Sequence, residues 1–368
     1  MADEEILNIA DNKLFKKYED ILLKKNYLKL DSKMFTEEKL KKENLLEARD
    51  LLKDNLKLEK HSPDKYKKII REKLRIKYNK LSQKDKYLYF EETINLVKVN
   101  SIQEYIQLLN GKGQKCKDFK KGLLKDSVYF RGQSNIEYTV KPSVYRNRQL
   151  DNESKNFKEL LLRNPLDFEQ ELTIFEKLVK MQHYGLPTRL LDLTKNPLVA
   201  LYFAVENNDE YDGEILFFNG QDNKLYFDDE KVRKLSLLTQ IDKRFTEDEL
   251  MILCKKQYLD FKEIGKDYFD YCSFVEAKKN NKRILNQQGS FLFCGTKLEK
   301  EEKYFLKSGC SEICNFFMKD SQGRQIVFYI PCVKKKLIRD ELDKLNINKA
   351  FIYPEIDDVA DYLREKAN

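Results

Sequence analysis

Polar side chains able to do chemistry concentrate in two short stretches. The first, Val128-Tyr-Phe-Arg-Gly-Gln133, brings an apolar run to a guanidinium at Arg131, followed by Gly132 and Gln133. A planar guanidinium suits the two-oxygen edge of a phosphate or carboxylate, and an ion pair with Asp192 or a glutamate would satisfy it equally. The second stretch runs from Met181 to Glu206, MQHYGLPTRLLDLTKNPLVALYFAVE, and holds one of only two histidines in 368 residues. His183 can serve as acid, base or hydrogen-bond donor to a ribose or phosphate; near a helix end it can also be a cap or a core residue. Arg131, His183 and Asp192 form the candidate catalytic set. Gly132, Gln133, Tyr184, Thr188, Arg189, Thr194 and Gln288 are candidate ligand contacts, with Thr194 open to the simpler role of helix cap.

A helix opening at Asn196-Pro197 offers free backbone N–H groups and the positive end of its dipole, an anion site if it faces Arg131 and Arg189. Together these residues describe a pocket for a phosphorylated or dinucleotide ligand. The chain has no GxGxxG, Walker or HExxH sequence and no GxSxG elbow, so Rossmann cofactor use, P-loop hydrolysis, zinc proteolysis and serine-hydrolase chemistry lack support. A nuclease would want a carboxylate cluster or paired histidines.

The elements that must position these groups follow from periodicity. Residues 1–91 contain one proline and no glycine, with apolar residues at three- and four-residue spacing, which predicts a helical N-terminal module. Beyond it, Ser101-Ile-Gln-Glu104 reads as a capping box opening a helix at 102–109. Residues 127–133 read as a strand, with 138–140 as a second extended piece in a hairpin-like arrangement. A helix is expected over 167–183, with Glu169, Glu176 and His183 on one side. A short strand at 188–192, a buried helix at 198–205 and a continuous apolar strand at 214–218 come next. Residues 220–282 read as a helical insertion. Strands near 283–294, 313–317 and 325–330 and helices at 334–345 and 357–366 close the chain. The expected fold class is α+β, a mixed β-sheet core surrounded by helices over 92–368, preceded by the all-helical module.

The chain is 41% hydrophobic and 36% charged, with a net charge of +8 spread over mixed Lys and Glu. That balance is globular, and it is weaker than the clustered basic stripe of a dedicated nucleic-acid binder. A nucleic acid or protein partner on the N-terminal helices remains an open expectation beside plain solvated faces. No apolar run reaches a membrane span and the N-terminus is acidic, so a cytoplasmic, membrane-free protein is expected. Seven scattered cysteines agree with a reducing compartment, and the one close pair, Cys310 and Cys314, has no histidine nearby to complete a zinc site. No metal is expected.

Phe130-Arg131-Gly132, then Gln182-His-Tyr-Gly-Leu-Pro-Thr-Arg-Leu-Leu-Asp192, Thr194, Asn196-Pro197 and Ala200-Leu-Tyr-Phe-Ala204, resemble the FRG domain, a bacterial domain named for that first triplet. The later Gln288-Gly289 with Phe291, and Ile347 with Tyr353-Pro-Glu-Ile-Asp357, are similar to that family's end, so the resemblance spans about 95–366. Leu193 stands where the family often has Trp. The resemblance implies a bacterial, toxin-like or antiviral defence protein. The arrangement is also loosely similar to ADP-ribosyltransferases, in which an early-strand arginine holds NAD, a Thr-bearing segment follows, and a late loop carries the catalytic acid. Here that loop, Asn286-Gln-Gln-Gly289, lacks glutamate, so Glu169, Glu176 or another acid would have to act. The implied ligand is NAD or another phosphorylated nucleotide; the alternative is a non-catalytic nucleotide- or RNA-sensing module.

Overall fold

Two neighbouring strands, Val128–Gln133 and Gly213–Asn219, form the middle of the fold, and the second is buried on both faces through six of its seven residues. The computed structural model describes residues 94–367 apart from 113–122, 137, 221–223, 260–268, 270, 301–302 and 309–312. The helical module expected over 1–91 lies outside the described residues. In chain order the described elements are β1 (Ile94–Lys98), α1 (Ile102–Leu109), β2 (Val128–Gln133), α2 (Glu153–Arg163), α3 (Ile174–His183), β3 (Leu190–Thr194), α4 (Pro197–Val205) and β4 (Gly213–Asn219). They continue with β5 (Lys224–Tyr226), α5 (Glu230–Leu237), β6 (Arg244–Phe245), α6 (Glu247–Lys256), β7 (Cys272–Glu276), α7 (Lys282–Gln287) and β8 (Gly289–Cys294). The last are β9 (Thr296–Lys300), β10 (Tyr304–Ser308), β11 (Gln325–Ile330), α8 (Cys332–Lys344), α9 (Lys349–Ile352) and α10 (Ile356–Ala367).

Eight strands make one sheet in the order β1-β11-β4-β2-β3-β8-β7-β5, and β6, β10 and β9 make a small second sheet. The ladders from β11 to β7 are antiparallel and β5 joins β7 in parallel, so the main sheet is mixed, as an α+β fold requires. Two apolar clusters hold the helices to it. One joins α1, α4 and α8 to β2, β4 and β11 through residues such as Tyr105, Phe130, Leu201, Phe217, Phe328 and Ile338. The other joins α2, α3 and α5 to β3, β7 and β8 through Phe157, Phe175, Leu178, Leu235, Val275, Phe291 and Phe293. Burial of several aromatic side chains in each, at about 25 cal/mol per Å² of apolar area, is what fixes the helices to the sheet.

Local chemistry sets the element ends, and several differ from the sequence expectation. Ser101 caps α1 by accepting from the Glu104 N–H, but the Glu104 carboxylate accepts from Asn100 rather than from Ser101, so the reciprocal half of the box is displaced by one residue. The helix expected over 167–183 is broken: residues Leu166–Phe168 form a single 3-10 turn, and α3 begins afresh behind Thr173. Thr173 and Glu176 make a complete capping box there, which costs the helix its first turns but satisfies donors that a continuous helix would leave to solvent. Residues 138–140 form no strand, so β2 has no hairpin partner and pairs instead with β4 and β3. The region 220–282 is not a purely helical insertion, because it supplies β5 and β7 to the main sheet and β6 to the second. Residues Ile313–Phe316 form a 3-10 turn rather than a strand, and 282–287 are helical before β8 begins at Gly289. Among the described residues no helix is long and apolar enough to cross a membrane.

Candidate functional site

The sheet parts at its centre. β2 meets β3 at the single pair Phe130–Thr194, whereas its ladder with β4 runs on to Gln133–Glu214. A continued antiparallel ladder would set Gly132 opposite Asp192; instead β2 follows β4 and lies against α4. A Cβ on Gly132 would fall 1.9 Å from the carbonyl oxygen of Ala200 and 2.8 Å from the nitrogen of Ala204, and one on Gly213 would fall 2.0 Å from the carbonyl oxygen of Ala204. The two glycines on adjacent strands thus let the Ala200–Ala204 edge of α4 rest directly on the sheet backbone. Gly132, a candidate ligand contact by sequence, is explained by this packing.

Arg131 bridges the gap that results. Its Nη1 donates to the carbonyl oxygen of Asp192 at 2.7 Å, in place of the backbone donor that a continued β2 would offer. Its Nε lies 3.4 Å from Oε1 of Gln133, whose own amide donates to Oε1 of the buried Glu214 at 2.7 Å and to the carbonyl of Tyr138 at 3.2 Å. Gln133 is therefore a buried buttress. Burial disfavours the charge of Arg131; Asp192 and Glu214 offset that and Arg146 adds to it.

Between the parted strands is a cavity of about 190 Å³. Arg131, Gly132, Asp192 and Thr194 line it from the strands, Gln182 and His183 from the end of α3, Arg283 and Gln287 from α7, Phe203 from α4, and Tyr353 from the segment after α9. The carboxylate of Asp192 is exposed and held by Gln182, whose Nε2 donates to both of its oxygens at 3.0 and 3.1 Å. Thr188 sets that amide the right way round: its hydroxyl donates to Oε1 of Gln182 at 2.5 Å and accepts from the Leu190 N–H. Thr188 is buried behind the cavity and acts through Gln182 rather than on a ligand.

His183 is half-buried at the end of α3 and lines the cavity. Burial pushes its pKa down to about 4, the nearby guanidinium of Arg283 and ammonium of Lys180 push the same way, and Asp192 opposes them. The imidazole is neutral at pH 7, and no described residue hydrogen-bonds its ring. Beside Tyr353, Glu206 is pushed up by burial and accepts a hydrogen bond from that tyrosine, whose own pKa is raised by burial and by that carboxylate.

Other candidates stand elsewhere. Arg189 is completely buried, its Nε 2.8 and 2.9 Å from the two carboxylate oxygens of Glu153, so it is a core ion pair and no ligand contact. The sequence around Arg189 does not reveal this partner, which lies 36 residues earlier. Thr194 is not the cap of α4; Asn196 is, accepting from the Leu198 and Val199 N–H groups at 2.9 and 3.4 Å, which takes up donors expected for an anion. The Thr194 hydroxyl instead donates to the carbonyl of Gln287, tying β3 to α7. Gln288 is exposed in a left-handed conformation, φ 44°, at the end of α7, and Tyr184 is exposed after α3; neither lines the cavity. Glu169 is outside the helix, so the side expected to carry Glu169, Glu176 and His183 keeps only Glu176, spent on the cap of α3, and His183.

Sequence reasoning missed Gln182, Arg283 and Tyr353. Gln182 was visible as the residue beside His183. Arg283 and Gln287 are four apart, hence on one side of α7, but a strand assignment for that segment hid the relation. Among the described residues no group of three His, Cys, Asp or Glu side chains could hold a metal ion.

No curated protein and no solved structure gives a match to the chain. The family model of the FRG domain matches residues 126–213, which span β2, α3, β3 and α4 and so contain Arg131, Gln182, His183 and Asp192 but not Arg283 or Tyr353. Its three eponymous residues are here a core aromatic, the bridge between parted strands, and the contact point of a helix on the sheet: over residues 126–213 this chain carries an FRG domain.

Proposed function

We propose that the cavity takes a phosphorylated nucleotide, NAD foremost, and transfers its ADP-ribosyl group to a nucleic acid or protein, in a cytoplasmic bacterial effector of toxin-like or phage-defence type. The convergence of Arg131, His183 and Asp192, from three separate elements, on one cavity carries this reading. The transfer breaks the bond between ribose C1′ and the nicotinamide nitrogen, and the bonding pair leaves with nicotinamide. The acceptor atom then bonds C1′ and gives up its proton. The positive charge that develops on the ribose calls for a preorganised carboxylate, and Asp192, clamped by Gln182, is the carboxylate among the described lining residues. A neutral imidazole is in the right state to accept the acceptor's proton, and burial keeps His183 in that state at neutral pH. Arg131 fixes the backbone of Asp192 and presents positive charge to the cavity.

Incubation of the full chain with NAD tests this, with nicotinamide release expected from the wild type and lost in Arg131→Ala. A second reading is favoured by the engagement of Arg131 Nε and Nη1 with the protein: a non-catalytic module that senses a nucleotide or RNA end and signals through the N-terminal region. Stabilisation of the fold by NAD or another nucleotide without nicotinamide release would select it, since a ligand that binds the native state raises stability by mass action.

A further inference from the structure

The two arginines of the cavity are in opposite conditions. Arg131 is held by the protein through Nη1 on the Asp192 carbonyl and Nε on the Gln133 amide oxygen, and none of its buried nitrogens is without a partner. Arg283 is not held in this way. Its guanidinium lies over the ring of Tyr353, 4.6 Å from the centroid, which fixes its plane by cation–π attraction and leaves its N–H groups pointing around the edge. One of them, on Nη1, reaches the carbonyl of His183 at 3.4 Å, the long limit of a hydrogen bond. Nε is buried and has no hydrogen-bond partner among the described residues, Nη2 makes no hydrogen bond to any of them, and no described carboxylate forms an ion pair with it. Glu206 acts on it only electrostatically and is hydrogen-bonded to Tyr353 instead. A buried N–H with no partner is costly, so the Nε of Arg283 calls for an explanation.

Resting on the reading of the cavity as a nucleotide site, we infer that Arg283 supplies its anion contact, and that the group it takes is a phosphate of the bound nucleotide. The planar edge of an arginine matches two oxygens of a phosphate or a carboxylate, and the Tyr353 ring, α7 and the carbonyl of His183 hold that edge at the cavity wall before any ligand arrives. Arg131, given the anion role by sequence, is a positioning residue for Asp192, with its Nε and Nη1 already engaged by the protein. Arg283 also lies outside residues 126–213, so the chain beyond the FRG match completes the site.

Calorimetric titration of the full chain with ADP, inorganic pyrophosphate and citrate tests this, with Arg283→Gln and Arg283→Lys as variants and the melting temperature of each as the check on folding. Loss of one charge-assisted, two-pronged contact predicts binding of ADP and pyrophosphate weakened roughly 10- to 100-fold in Arg283→Gln. Partial recovery is expected in Arg283→Lys, which keeps the charge without the fork. ADP affinity within about twofold of wild type in a folded Arg283→Gln, or Arg283→Lys as weak as Arg283→Gln, overturns the assignment while leaving the nucleotide reading intact. Citrate bound through Arg283 with no binding of ADP or pyrophosphate overturns the phosphate and the nucleotide reading together. Absence of binding by all three overturns the anion contact itself.

Discussion

Replacing Gly132 by alanine tests whether the glycine of the motif is there for packing. The added Cβ would sit 1.9 Å from the Ala200 carbonyl oxygen and 2.8 Å from the Ala204 nitrogen, both backbone atoms of α4 that no rotamer change can move. Either α4 lifts off the sheet or β2 shifts away from β4. Inserting a methyl into a filled core costs about 1–3 kcal/mol, and contact with backbone on both counts places this case at the upper end. At about 2–4 °C per kcal/mol for a domain somewhat smaller than residues 95–368, the melting temperature should fall by about 6–12 °C. Gly289→Ala is the internal control: the nearest atom to its added Cβ is Cγ2 of Ile284 at 3.6 Å, an ordinary contact, so it should stay within about 1 kcal/mol of wild type. Differential scanning calorimetry of the full chain reads both. A Gly132→Ala protein that melts within about 2 °C of wild type, or one no worse than Gly289→Ala, would refute the packing argument and return Gly132 to the candidate ligand contacts.

The buried Glu153–Arg189 pair should behave unlike a surface pair. Glu153→Ala strands a fully buried guanidinium and should cost about 3–5 kcal/mol in urea unfolding, against less than about 1 kcal/mol for Asp242→Ala, whose partner Lys158 is exposed with it. For His183 the folded pKa of about 4 lies below the unfolded value of 6.5, so the unfolded chain binds the proton first. Its effect on stability is therefore nil above pH 6.5 and unfavourable as pH falls from 6.5 towards 4. NMR titration of a protein with only two histidines should show one imidazole still neutral at pH 5.5; two histidines titrating near 6.5 would contradict the burial of His183.

Much of this was legible in the residues. Alternation and apolar continuity located β2, β4 and β11, and Asn196-Pro197 marked the start of α4 to within a residue, because short-range sterics and capping decide such features. Arg131, His183 and Asp192 were legible as unusual polar residues beside apolar ones, and the structure gathers all three on one cavity. Long-range pairing was not legible. Nothing near Arg189 reveals Glu153, and nothing near Gly132 reveals Ala200, since both partners are set by the packing of whole elements. The break at Thr173 was hidden by a helical period that continues through it, and the capping box overrode the pattern. Arg283 was lost because the six residues of helix before β8, with Ile284 and Leu285 at their centre, are too few to show a helical period and read as the start of the strand.

The central claim is that Asp192, clamped by Gln182 between parted strands, serves a nucleotide bound in this cavity. Nicotinamide release from NAD by the full chain, compared with Asp192→Asn and Arg131→Ala, tests it most directly. Removing a preorganised charge at such a centre predicts a fall of roughly 100- to 1,000-fold in Asp192→Asn, with NAD still stabilising that variant against heat. NAD left intact by the wild type, or released equally well by Asp192→Asn, would contradict the account.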